Sequence, residues 1–109
     1  MKQVLDYHAH IYFDESSFDK AVKLSQVIAK EFEVSIGKLY QKPVGPHPKW
    51  NCQILFETDL FAPITSWLML NRDGLTIFLH PNTGDDLLDH TEYAIWMGEL
   101  LELNLSIFK

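Results

Sequence analysis

The chain carries one cysteine, Cys52, and one arginine, Arg72, in 109 residues. A single thiol excludes an intrachain disulfide and a CxxC metal knuckle. Nine basic residues against fifteen acidic ones leave a formal charge of −6. That charge repels phosphate backbones and anionic lipid, so neither a nucleic-acid nor a membrane partner is expected. No apolar run approaches the roughly 18 to 20 residues that span a bilayer, and the opening MKQVLDYHAH lacks the apolar core of a signal peptide. A cytoplasmic location is expected on that ground. Repeats and low-complexity tracts are missing as well. The 47% hydrophobic content, with seven Phe and three Trp, instead fits one packed domain over residues 1–109.

What the chain does have is clear periodicity. Residues 4–13, VLDYHAHIYF, alternate strictly, with Leu5, Tyr7, Ala9, Ile11 and Phe13 on one face and Asp6, His8, His10 and Tyr12 on the other. This predicts a half-buried strand with two histidines on its less apolar side. Residues 17–32 place Phe18, Ala21, Val22, Leu24, Val27, Ile28 and Phe32 at helical spacing, behind a capping-box pattern of Ser16 and Asp19. A short strand over 33–40, the proline-rich loop QKPVGPHPK, a strand from Trp50, a helix over 60–71 and a strand over 75–80 follow.

The order βαββαβ predicts an α+β, ferredoxin-like sandwich with spatial strand order 4-1-3-2. A third helix is expected over about 86–97, stopped by Gly98. Beyond it LLELNLSIF alternates, with Leu101, Leu103, Leu105 and Ile107 on one side, and predicts a fifth strand. An apolar terminal strand often completes a neighbour's sheet, so a homodimer is expected.

All five histidines lie at strand ends, in loops or at a helix start, and none in the helix of residues 17–32. In the expected topology strand one is central and strand four lies beside it. Parity on strand four groups Thr76, Phe78 and His80 on the face away from the helices, the side that carries His8 and His10. Neutral imidazoles suit zinc, copper or ferrous iron, and the set His8, His10 and His80 is the leading metal-ligand candidate. A two-histidine, one-carboxylate site is the other possibility. Glu57, Asp6 or Asp89 would then complete it, and no spacing chooses among them. Without a metal, the same histidines would simply donate to carbonyls.

On the substrate side, Arg72 suits bidentate binding of a carboxylate, or else satisfies carbonyls at its helix end. Tyr12 is a candidate for an aromatic pocket. Asn82 and Gly84 would give the HPNTG turn its unusual backbone angles, which leaves Asn82 as a polar substrate contact. His90 is expected to begin the third helix. No nucleophile elbow is present, and Cys52 sits inside a strand.

The motifs YHAHIYF, KPVGPHPKW, WLMLNRDGLTIFLHPNTGDDLLDHT and LLELNL resemble, in order and over nearly the whole chain, the DOPA 4,5-dioxygenase family. The resemblance implies a ferredoxin-like fold and extradiol cleavage of a catechol such as DOPA by non-haem Fe(II) and dioxygen. The family's histidine positions fall on His8, His10, His47, His80 and His90, all present. Those that are not ligands would act as acid and base, His47 first because prolines stiffen its loop, with His90 as the second. The alternative is a non-enzymatic small-molecule or metal-binding ferredoxin-like dimer.

Overall fold

Residues 2–108 are described by a computed structural model. Strand β1 (Asp6–Phe13) is followed by helix α1 (Phe18–Glu31), β2 (Ser35–Tyr40), β3 (Trp50–Phe56), α2 (Phe61–Asn71) and β4 (Thr76–Asn82). A one-turn helix α3 (Asp86–Asp89), strand β5 (Ile95–Met97) and a terminal 3-10 turn (Leu105–Phe108) complete the chain. The sheet runs β2-β3-β1-β4-β5 and every neighbouring pair is antiparallel. The expected 4-1-3-2 arrangement is therefore present, with β5 added outside β4, and the architecture is an α+β, ferredoxin-like sandwich.

Period-two alternation on β1 does what it dictates. Ala9, Ile11 and Phe13 join Cys52, Ile54, Ile77 and Leu79 in a core closed by Ala21, Leu24 and Ile28 of α1 and Ile64 and Leu68 of α2. Burial of these aliphatic and aromatic faces, at roughly 25 cal/mol for each Å² removed from water, holds the helices to one side of the sheet. The opposite side is also dry. His10, Tyr12, Phe78 and His80 are all buried there, although neither α1 nor α2 covers them.

The cover comes from segments for which the sequence suggested other roles. Gly45 takes a left-handed φ of 54°, which lets the His47 amide donate to the Val44 carbonyl at 3.0 Å and turns the proline-rich loop back over the sheet. The tail joins it, for the Asn104 amide donates to the Pro46 carbonyl at 2.8 Å. The tail is thus not a fifth strand. Its leucines alternate because one side lies on the protein and the other faces water, without ladder pairing.

Three further expectations change. The helix expected over 86–97 begins at Asp85, whose carboxylate accepts from the Leu88 amide, and stops after one turn at Asp89. Ile95–Met97 then pairs with Ile77–Leu79, which satisfies backbone groups that β4 would otherwise leave at an open edge. Gly98, at φ 90°, therefore ends a strand and not a helix; a Cβ there would lie 2.9 Å from the Arg72 guanidinium. The capping box forms one turn early, between Asp14 and Ser17, and not from Ser16 and Asp19. No helix among the described residues is long and apolar enough to cross a membrane.

Candidate metal centre

Antiparallel register brings the distant histidines together. His8 of β1 stands directly opposite His80 of β4, and His10 opposite Phe78. His8, His10 and His80 each offer a ring nitrogen, all within 4.8 Å of one another. The Nε2 atoms of His10 and His80 are 3.3 Å apart. Two nitrogens about 2.1 Å from one ion sit roughly 3.0 to 3.4 Å apart in octahedral or tetrahedral geometry, so this pair fits one ion.

The protons support that fit. His80 Nδ1 lies 2.9 Å from the Pro81 carbonyl, and a carbonyl can only accept, so Nδ1 carries the hydrogen and Nε2 keeps its lone pair. A ligating histidine anchored through its other nitrogen to a backbone carbonyl is the usual support for a metal-bound ring. His10 Nδ1 is buried without a hydrogen-bond partner.

The other two histidines flank this trio. The His47 ring packs on His10 with centroids 4.0 Å apart, and the His90 ring packs on His80 at the same separation. Tyr12 Oη and His47 Nδ1 are 2.6 Å apart, so a buried phenol fixes that imidazole. His90 sits at the C-terminal end of α3, not at a helix start. Its Nδ1 donates to the Asp86 carbonyl at 2.7 Å, which leaves Nε2 free. Phe78 lies beneath, near His10, His47, His80 and His90, with Trp96 against it at 4.5 Å.

Burial lowers the basicity of these rings, and neighbouring histidines lower it further. His80 falls to about 3 and His47 to about 4; His10 is driven well below its ordinary value, and His8 is lowered. All four are therefore neutral at pH 7, the form that ligates metal. Burial raises the Tyr12 phenol, which keeps it protonated beside His47.

These shifts set an acid limit for the metal-free protein. The unfolded chain, with histidines near 6.5, takes up protons before the folded one, so stability is complete above about pH 7 and erodes as the pH falls towards 4 and 3. At pH 5, His47 and His80 should each cost on the order of 2 kcal/mol. Urea midpoints measured with chelator present should fall between pH 7.5 and 5. A flat profile would contradict the neutral, buried cluster.

The remaining candidates lie elsewhere. Arg72 donates to the Leu75 carbonyl at 3.0 Å, near Thr76, which pairs with Tyr12 at the far end of the β1–β4 ladder. That is about 13 Å along the strand from His80, so the structure does not bring the arginine to the histidines. Asn82 is the last residue of β4 and not a turn residue; only Gly84 has the positive φ expected of that turn. The Asn82 side-chain amide donates to Asp6 Oδ1 at 2.6 Å, which ties together two of the polar candidates on the face of His8 and His80. Asp89 is buried and committed to the amide and hydroxyl of Thr83. Sequence reasoning missed the Tyr12–His47 bond and Trp96, because Trp96 fell within the expected third helix.

A family model described as the Dopa 4,5-dioxygenase family matches residues 7–107. The chain belongs to the Dopa 4,5-dioxygenase family. It is 29% identical over 113 aligned positions to DOPA 4,5-dioxygenase of Amanita muscaria, covering 95% of this chain and 50% of that protein. It is also 39% identical over 119 positions to an uncharacterized 21.2 kDa protein of Botryotinia fuckeliana, covering 94% of this chain and 63% of that one. This member of the Dopa 4,5-dioxygenase family thus spans between half and two-thirds of these curated relatives. The crystal structure of a candidate dioxygenase from Nostoc punctiforme superposes with a TM-score of 0.92 at 44% identity, covering 94% of this chain and 89% of that one.

Proposed function

We propose that the protein is a ring-cleaving dioxygenase of the extradiol type, acting on a catechol such as DOPA with non-haem ferrous iron held by His8, His10 and His80. The observation that carries this reading is that three neutral imidazoles each offer a ring nitrogen within 4.8 Å of the others, with two further imidazoles packed on them. Ferrous iron, when bound there, supplies the redox chemistry by which dioxygen reacts with the aromatic ring.

The chain's own groups would do the rest. Three ligands from one side leave coordination positions free for substrate. His47 and His90 each have one nitrogen engaged, by Tyr12 and by the Asp86 carbonyl respectively. That leaves His90 Nε2 with a lone pair, and His47 Nε2 with one when Nδ1 donates to the Tyr12 oxygen, to take a catechol proton and return it. Phe78 and Trp96 provide an apolar floor and wall for the ring, while the proline loop and the leucine tail keep water out. The homodimer expected from a terminal strand loses that support, since the tail pairs with no strand.

The test is anaerobic reconstitution with ferrous iron, followed by admission of air over DOPA or simpler catechols. One iron per chain and a yellow ring-opened product are expected. Metal uptake without turnover across a catechol panel would favour a metal-binding module instead.

A further inference from the structure

Two of the three candidate ligands differ in how their rings are held. His80 is anchored from behind, since its Nδ1 donates to the Pro81 carbonyl at 2.9 Å, and its Nε2 therefore presents a lone pair. His10 has no such anchor. Its Nδ1 is buried without a hydrogen-bond partner, while its Nε2 faces that of His80 at 3.3 Å. Two imidazole nitrogens at that distance attract only if one carries a hydrogen or both point at a cation. With no ion between them, the hydrogen has to sit on His10 Nε2 and be donated to His80. With one ion held by both, each Nε2 must present a lone pair, and the His10 hydrogen has to move to Nδ1. Ligation thus places a buried N–H donor on the side of the ring that lacks a partner, and a buried donor left unpaired is costly.

Asn51 stands where that hydrogen would point. Across the β1–β3 ladder Gln53 pairs with His10 and Asn51 with Tyr12, so both amides share the histidine face. Gln53 lies directly opposite His10, and Asn51 lies diagonally, roughly 7 Å away between Cβ atoms. Asn51 is only 2% exposed, whereas Gln53 is half-buried. The Asn51 Nδ2 donates to the Lys49 carbonyl at 3.1 Å. A carbonyl can only accept, so this bond fixes which way the amide is turned and leaves Oδ1 as the atom that can accept from a neighbour. Burial is what lowers His10 most, and hydrogen bonding by the Asn51 amide works against it. The contact is close, although it falls short of an aligned bond at Nδ1. Gln53 exerts no such influence on the ring.

We propose that Asn51 Oδ1 accepts the His10 Nδ1 hydrogen once an ion is bound, and so selects the tautomer in which His10 can ligate. Asn51 is then a positioning residue, which does for His10 what the Pro81 carbonyl does for His80. The inference rests on the metal-ligand part of the ring-cleavage reading and is independent of the substrate.

The test uses redox-inert zinc and reads binding and the ring itself, not turnover. Long-range nitrogen–proton NMR spectra of the protein, first with chelator and then with zinc, should show the His10 hydrogen on Nε2 and afterwards on Nδ1. Asn51→Leu keeps the volume and deletes the acceptor, and it should weaken zinc binding about 10- to 100-fold, the usual loss when a ligating ring is deprived of its partner. Asn51→Asp keeps the acceptor and gives up the bond to Lys49, so it should bind zinc at least as well as the parent. A residue that merely packs predicts the reverse ranking, because leucine fills the space while a buried carboxylate would face the Lys49 carbonyl. Gln53→Leu should leave zinc affinity unchanged.

A His10 hydrogen that does not move to Nδ1 with zinc overturns the inference, and that spectrum of the parent needs no variant to fold. So does a zinc affinity that survives in Asn51→Leu, is lost in Asn51→Asp, or falls equally in Gln53→Leu. In each of these cases the parent still binds zinc and the metal centre stands. A parent that binds no zinc removes the metal centre and the role of Asn51 together. A parent that behaves as expected with zinc, but whose iron-loaded form opens no catechol, loses ring cleavage and keeps Asn51 in this role.

Discussion

Replacing His10 by alanine is expected to abolish stoichiometric iron binding and to lower catechol turnover by about a thousandfold or more. His10 is the inner member of the trio. It is buried, its Nε2 faces that of His80 at 3.3 Å, and its ring is packed between His47 and His80. His8 and His80 alone would hold a cation through two nitrogens, with water in place of the third. The substitution also removes a packed ring, a loss typically of a few kcal/mol in a core. Here part of it is offset, because the ring's Nδ1 is buried without a partner. His10→Gln keeps most of the volume and separates the two effects. Both variants should lose iron by metal analysis, while only the alanine variant should lose several degrees of melting temperature without metal. Retention of one iron per chain in His10→Gln would remove this histidine from the centre.

Why the trio could be foreseen while its surroundings could not follows from the range of the interactions. Alternation in VLDYHAHIYF fixes which face His8 and His10 take, since a strand has a period of two and its apolar set must face the helices. The same rule on LTIFLH places His80, and the βαββαβ order makes β1 and β4 neighbours. Each step is local, or follows from a general connection rule. His90 was misplaced because Asp89 and Glu92 suit the first turn of a helix, while pairing of Ile95–Met97 with β4, a long-range interaction, claims the residues after them. The tail misled in the other direction. Its alternation was a correct sign of one-sided burial, but strand pairing is only one cause of such burial. The partner it found, the Pro46 carbonyl, lies almost sixty residues earlier in a loop whose path no local pattern describes. Tyr12 shows the same limit. Parity placed it on the face of His10, but its bond to His47 depends on how that loop folds back.

His47→Ala is expected to leave iron binding intact and to lower kcat by about 10²- to 10⁴-fold, the range a positioned acid–base group contributes. The ring stands next to the trio without joining it, since its Nδ1 is engaged by Tyr12 Oη at 2.6 Å and the converging nitrogens are those of His8, His10 and His80. Burial holds His47 at about 4, so at neutral pH it is unprotonated and can accept. Loss of the imidazole leaves the Tyr12 hydroxyl buried and unpartnered, at about 1 to 3 kcal/mol, which makes iron content and melting temperature necessary companions to the rate. Tyr12→Phe is the complementary change. It retains the imidazole but frees it to rotate and to move its proton between the two nitrogens, so kcat should fall by roughly tenfold and the pH profile should shift, with KM little altered. Loss of iron in His47→Ala would make this residue a ligand. A kcat within threefold of the parent would place the proton transfer elsewhere, with His90 Nε2, already oriented by the Asp86 carbonyl, next in line because its ring packs directly on His80.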